Sequence, residues 1–166
     1  MDSIDDIISD IESAFADVPR GRVTLHEAEV MDIHGTAAEL SAARKRDPES
    51  DWRDVPGMSI EECRAALTFV DEESFRFYLP AYMRWGLRQL HAPRNSAIDV
   101  AIYSLDCGLG SAEVVAAKRK KFDSLGPAQA RAVRRFLAFA SQHDDLCDGV
   151  VAQQALEAYW SNAKVD

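Results

Sequence analysis

The segment Ser74-Phe75-Arg76-Phe77-Tyr78-Leu79-Pro80-Ala81-Tyr82-Met83, entered through Thr68-Phe69-Val70-Asp71 and continued by Arg84-Trp85-Gly86-Leu87, decides the fold. Phe75, Phe77, Tyr78, Tyr82 and Trp85 crowd around one proline in a chain that is only 8% aromatic. A buried ring removes roughly 150–250 Å² from water, so this segment belongs to the interior. Asp71 is placed to cap a helix over Glu72–Leu79. Pro80 suits the first turn of a following helix, where its missing amide costs nothing; that helix runs to about His91 and stops before Pro93.

Outward from this segment the pattern is helical. Ile4, Ile7, Ile8, Ile11 and Phe15 repeat at helical spacing behind Ser3, a good N-cap, and Pro19-Arg20-Gly21 ends the run. Thr24-Leu-His-Glu27, Thr36-Ala-Ala-Glu39 and Ser59-Ile-Glu-Glu62 each read as a capping box, in which hydroxyl and carboxylate satisfy orphan backbone amides. They predict helices over about 25–33, about 37–46 and from 59 to about 67. Between them, residues 47–57 form an irregular stretch that Trp52 should anchor. Helices are also predicted over Ser111–Phe122, over Pro127–His143 with Ala130, Val133, Phe136, Leu137 and Ala140 inward, and after Gly149. Residues 96–105 alternate at Ile98, Val100 and Ile102 but also fit a capped helix. The expected fold is therefore mainly α, a compact multi-helix bundle forming a single domain over 1–166, with at most a minor strand pair. Its core should be led by Phe69, Phe75, Tyr78, Leu79, Tyr82, Phe136 and Leu137.

Composition sets limits. A chain of 166 residues buries about 70% of its unfolded surface in one core. Its N-terminus is acidic where a signal peptide is basic, and no apolar run approaches the roughly 18 residues that span a bilayer. A cytoplasmic location without membrane attachment is expected. Cys63, Cys107 and Cys147 are widely spaced and odd in number, which points to reduced, buried thiols rather than a disulfide framework or zinc site.

Charge is unevenly distributed. Residues 118–135 carry Lys118, Arg119, Lys120, Lys121, Arg131, Arg134 and Arg135 against Asp123 alone, a local +6 within a net −9, so the remainder holds −15. Asp2, Asp5, Asp6, Asp10, Glu12 and Asp17 precede any base, and Asp144, Asp145 and Asp148 form a second acidic group. One reading is solvated helix faces that pair with one another. The other is a surface that steers a basic partner onto the molecule. The basic stretch lacks the aromatic interleaving of a nucleic-acid site, and the chain is acidic overall, so nucleic acid is not the expected partner.

The order Leu25-His26-Glu27-Ala28, Asp32, Gly35, Glu39, Ala43-Arg44, Asp47, Trp52, then Phe69, Asp71 and Phe75-Arg76-Phe77-Tyr78-Leu79-Pro80-Ala81-Tyr82-Met83, then Leu125-Gly126-Pro127-Ala128-Gln129, Val133 and Phe136-Leu137 resembles a family of small bacterial proteins known as a domain of unknown function. The resemblance spans most of the chain and implies no activity, ligand or catalytic residue.

Motifs for chemistry are sparse. His26, Glu29 and Asp32 recur every third residue, with His34 beyond, and could exchange protons or hold a metal. The spacing is not H-E-x-x-H, and Glu27 already serves a capping box. Gly108-Leu-Gly110-Ser111 lacks the third glycine of a dinucleotide loop and reads as a turn. No cofactor, structural metal or catalytic residue is expected. Arg76, Tyr78 and Tyr82 could line a pocket with Asp71 opposite, or Arg76 could pair with an acid beside the core. Three readings of function stay open. The first is a binding module that occludes a basic partner, as an immunity protein does a toxin domain, through Asp5, Asp6, Asp10, Glu12, Asp144, Asp145 and Asp148. The second is an enzyme using His26, Glu29 and Asp32. The third is a housekeeping interaction protein.

Overall fold

The computed structural model describes residues 3–93, 96–108 and 110–163; Asp2 and Leu109 lie outside them. Among the described residues there are ten α-helices and no strand. They are α1 (Ile4–Ala14), α2 (Leu25–Asp32), α3 (Ala37–Arg44), α4 (Gly57–Glu62), α5 (Ala66–Phe69), α6 (Glu72–Arg88), α7 (Ala97–Leu105), α8 (Ala112–Asp123), α9 (Pro127–Ala140) and α10 (Gly149–Ala155), the last continued by a π-helical turn, Leu156–Trp160.

The aromatic segment is α6, the axis of the fold. Phe75, Phe77, Tyr78, Leu79, Pro80, Tyr82 and Met83 are all buried, on every side of the helix. A helix that is apolar all round has to be surrounded, and α6 packs against α1, α4, α5, α7 and α8, most extensively against α7. Gly86 allows that contact, because a Cβ there would lie 2.7 Å from the backbone nitrogen and Cα of Ile98. α1 bridges α6 and α9, while α2 covers α3 and α5.

Local caps start the helices as their side-chain chemistry dictates. The Ser3 hydroxyl accepts from the Asp6 amide, and Asp6 accepts in return from the Ser3 amide. Thr36 and Glu39 form the same reciprocal pair. Asp71 accepts from the Ser74 amide at 2.8 Å, and Ser111 caps α8. Trp52 anchors the irregular stretch as expected, donating its indole N–H to the Phe15 carbonyl at 2.8 Å.

Several expectations are corrected. Pro80 does not open a new helix: α6 runs unbroken through it, because burial of that turn outweighs the hydrogen bond the Arg76 carbonyl forgoes. Ser59 and Glu62 do not form a capping box; α4 begins two residues earlier at Gly57 and breaks at Cys63, and α5 is a separate short helix. At Thr24 the box is half made, since Glu27 accepts from the Thr24 amide at 2.8 Å while the Thr24 hydroxyl has no partner. Of the two readings of residues 96–105, the helix is the one that holds, over Ala97–Leu105. Phe69 is 36% exposed at the end of α5, whereas the other six expected core residues are buried. All three cysteines are free and buried.

Candidate docking face

Short helices leave carbonyls unsatisfied at their C-termini, and each needs a donor. Here many donors come from remote side chains. Tyr82 donates its hydroxyl to Cys63 O at the end of α4, and Trp160 donates its indole N–H to Leu105 O at the end of α7 at 2.9 Å. The basic run on α8 does the same work. Lys118 Nζ donates to Tyr103 O at 3.0 Å and to Asp106 O at 2.5 Å, and Lys121 Nζ donates to Leu67 O at 3.0 Å and Thr68 O at 2.8 Å. Lys120 pairs with Glu72 at 2.6 Å, and the Arg119 guanidinium lies over the Tyr159 ring at 5.9 Å. Arg135 pairs with Asp10. Much of the +6 segment is thus engaged within the molecule.

The acidic candidates divide in two. Glu12 lies 3.1 Å from Arg84 and 3.4 Å from Arg88, tying α1 to α6. Asp10 ties α1 to α9 through Arg135. Asp148 caps α10 by accepting from the Val151 amide at 3.1 Å, and it accepts the Tyr103 hydroxyl at 2.7 Å. These three have structural roles. Asp5, Asp6, Asp144 and Asp145 are exposed, and among the described residues no ion pair engages Asp5, Asp144 or Asp145.

The packing of α1 on α9 sets these residues toward one end of the pair. Asp10 meets Arg135, while Ser13 and Ala14 face Ala128, Arg131 and Ala132 across a shallow cavity, so α1 and α9 run antiparallel. At about 1.5 Å per residue, Asp5 and Asp6 therefore fall beside the last turn of α9, which leads directly into Asp144 and Asp145. Two groups far apart in sequence share one end of the molecule. Val150, 57% exposed in the first turn of α10, and Tyr103, 49% exposed and bonded to Asp148, flank that end with apolar surface.

The proton-transfer candidates do not assemble. His26 is buried, with Nδ1 2.5 Å from Asp47 Oδ1 and its amide donating to Asp47 Oδ2 at 2.8 Å. Its Nε2 has no hydrogen-bond partner and lies 3.6 Å from Glu62, which Arg46 holds at 2.9 Å. Glu29 instead accepts from the Ala65 amide at 2.7 Å, and Asp32 faces solvent. His34 ends α2 in the left-handed region at φ 54°, with Gly35 N donating back to Val30 O at 2.9 Å. Among the described residues, no three His, Cys, Asp or Glu side chains are grouped to hold a metal ion. Burial pushes the Cys63 thiol up to about 12, aided by Glu29, which opposes thiolate formation.

The expected pocket residues also serve the fold. Tyr78 and Tyr82 are core side chains, and Asp71 caps α6. The buried Nε of Arg76 meets no acid. Sequence reading missed Asp47 as the partner of His26, because 21 residues separate them and no spacing rule connects them. Among the described residues, no helix is long and apolar enough to cross a membrane.

Residues 3–164 match the model of a family of unknown function, DUF6714, and the chain belongs to that family. No curated protein and no solved structure matches the chain.

Proposed function

We propose that this member of a family of unknown function is a protein-binding module. It occludes a basic partner, such as a bacterial toxin domain, in the manner of a cytoplasmic immunity protein. The observation that carries the reading is the antiparallel register of α1 and α9, which sets the exposed Asp5, Asp6, Asp144 and Asp145 toward one end of the pair. A concentrated field of one sign raises the encounter rate with an oppositely charged protein, and exposed apolar side chains beside it supply contact area. Val150 and Tyr103 are placed for the second role. Lys120 and Arg135 are balanced locally by Glu72 and Asp10.

The test replaces Asp5, Asp144 and Asp145 together by lysine and leaves Asp6, Asp10, Glu12 and Asp148 intact, since those cap or tie helices. Association is measured with the basic product of the reading frame adjoining its own gene. At low salt the variant should associate at least tenfold more slowly, with a flatter salt dependence and an unchanged melting temperature. Unchanged association, or no association by the native protein, would overturn the proposal.

A further inference from the structure

Between α5, α7 and α8 lies a cavity of about 160 Å³, lined by Leu67, Ser104, Val114, Ala117, Lys118 and Lys121. A cavity of roughly 150 Å³ holds one benzene ring, so this one has room for an aliphatic chain of about four to six carbons. Val114 is exposed and Leu67 is buried, so the cavity opens to solvent beside α8 and ends on the core. Its walls are largely aliphatic, and its charged feature is the pair of lysines one helical turn apart.

The two lysines share one geometry. Lys118 Nζ donates to Tyr103 O and Asp106 O, and Lys121 Nζ donates to Leu67 O and Thr68 O. Carbonyls at the ends of helices favour a cation, and so does the Phe75 ring, whose centroid lies 5.6 Å from Lys121 Nζ. An ammonium carries three N–H donors, so each lysine keeps one after serving its two carbonyls. Both side chains are half-buried, yet among the described residues neither has an ion pair, whereas Glu72 holds the neighbouring Lys120 at 2.6 Å. Carbonyls carry only partial charge, so two ammoniums leave positive charge uncompensated beside an apolar cavity. We propose that this cavity binds a short aliphatic carboxylate, its chain inside and its two oxygens accepting the spare N–H groups of Lys118 and Lys121.

The chemistry of the ligand follows from what the cavity offers. Side chains three residues apart on a helix are neighbours, with about 5–6 Å between their Cβ atoms, so one carboxylate can lie between the two ammoniums. Charge-assisted hydrogen bonds of this kind are roughly twice as strong as neutral ones. The aliphatic walls take the chain out of water. A free inorganic anion leaves those walls uncovered, and a neutral chain leaves the two N–H groups without an acceptor. Burial brings the Lys121 ammonium down to about 8, with Lys118 adding to the lowering and Glu72 and Asp71 on the α6 side opposing it, so a bound carboxylate supplies a counter-charge that the fold lacks. This inference is independent of the acidic docking face.

The experiment titrates the whole, untagged protein with sodium hexanoate by calorimetry at neutral pH and low salt, with hexan-1-ol as the chain alone and acetate as the charge alone. Hexanoate should bind one to one with a Kd below about 1 mM, at least tenfold tighter than either control, and added salt should weaken hexanoate while leaving hexan-1-ol unchanged. Ala117→Leu places a larger side chain at an exposed helical position that lines the cavity, where leucine is a good helix former. It should weaken hexanoate at least tenfold at an unchanged melting temperature. The proposal is overturned by a native protein that binds no hexanoate, by hexan-1-ol binding as tightly as hexanoate, or by undiminished hexanoate binding in Ala117→Leu.

Discussion

At the scale of single residues, the unusual feature is how much polar chemistry is buried and how little of it is open to a substrate. His26 is 5% exposed and Asp47 3%, and they touch through both the ring and the backbone amide. The pair joins α2 to the irregular stretch after α3, so it closes the fold around a segment that has no helix of its own. Removing one partner of a buried pair strands the other and costs about 3–5 kcal/mol, more than the pair itself contributes. His26→Leu should therefore lower unfolding stability by about that amount, and the double change with Asp47→Leu should lose no more than the single one. Urea titration of the three proteins checks both statements. A loss under about 1 kcal/mol for His26→Leu would show that Asp47 needs no partner. The same residues explain what the sequence reading of the enzyme hypothesis lacked. A three-residue spacing placed Glu29 and Asp32 near His26, but Glu29 serves the Ala65 amide and the true partner is Asp47, on another element.

At the scale of elements, helix starts that carry a side-chain cap were legible and helix ends were not, for a physical reason. A start is satisfied by a side chain within three residues, as at Ser3, Thr36, Asp71 and Ser111. The ends of α1, α4, α5 and α7 are satisfied by Trp52, Tyr82, Lys121 and Trp160, which stand 37, 19, 53 and 55 residues from the carbonyls they serve. No local pattern reveals those partners. Pro80 misled for a related reason: its cost is local, whereas the burial that outweighs it comes from five other helices. The docking face was legible only as two separate acidic groups, because their placement toward one end depends on α1 lying antiparallel to α9. One contact between elements is especially exacting. At Gly86 an added methyl would press on the Ile98 backbone, which no rotamer change can relieve. Gly86→Ala should force α6 and α7 apart and cost about 1–3 kcal/mol, offset by up to about 1 kcal/mol of better helix propensity. Chemical denaturation measures the balance, and wild-type or higher stability would show that α7 shifts without penalty.

For the whole molecule, the interior combines free thiols and phenols with a surface that is strongly negative, and both respond to alkali in the same direction. Burial pushes the Cys63 thiol up to about 12 and the Cys147 thiol up to about 11, from an ordinary 9.0. The hydrogen bond to Asp148 raises Tyr103 to about 12 from 10.0, and burial raises Tyr78, Tyr82 and Tyr159 as well. Each of these groups favours its neutral form in the folded state, so the stability it contributes is complete below its unfolded pKa and is lost as pH rises through the folded value. Lys121 acts in the opposite sense, since its ammonium falls to about 8 from 10.5, and its contribution rises with pH between those values. One amine stands against two thiols and four phenols, and ionisation adds negative charge to a chain already at −9. Stability should thus be nearly level at moderate pH and decline beyond about pH 9, more steeply once the phenols of the unfolded chain ionise near pH 10. Urea midpoints taken at about pH 8, 9.5 and 11 under reducing conditions should fall in that order. The double variant Cys63→Ala and Cys147→Ala should begin lower, because two buried side chains are trimmed, yet decline less steeply from about pH 9. Midpoints that stay level to about pH 11 would show that the buried thiols and phenols ionise as readily in the fold as in the open chain.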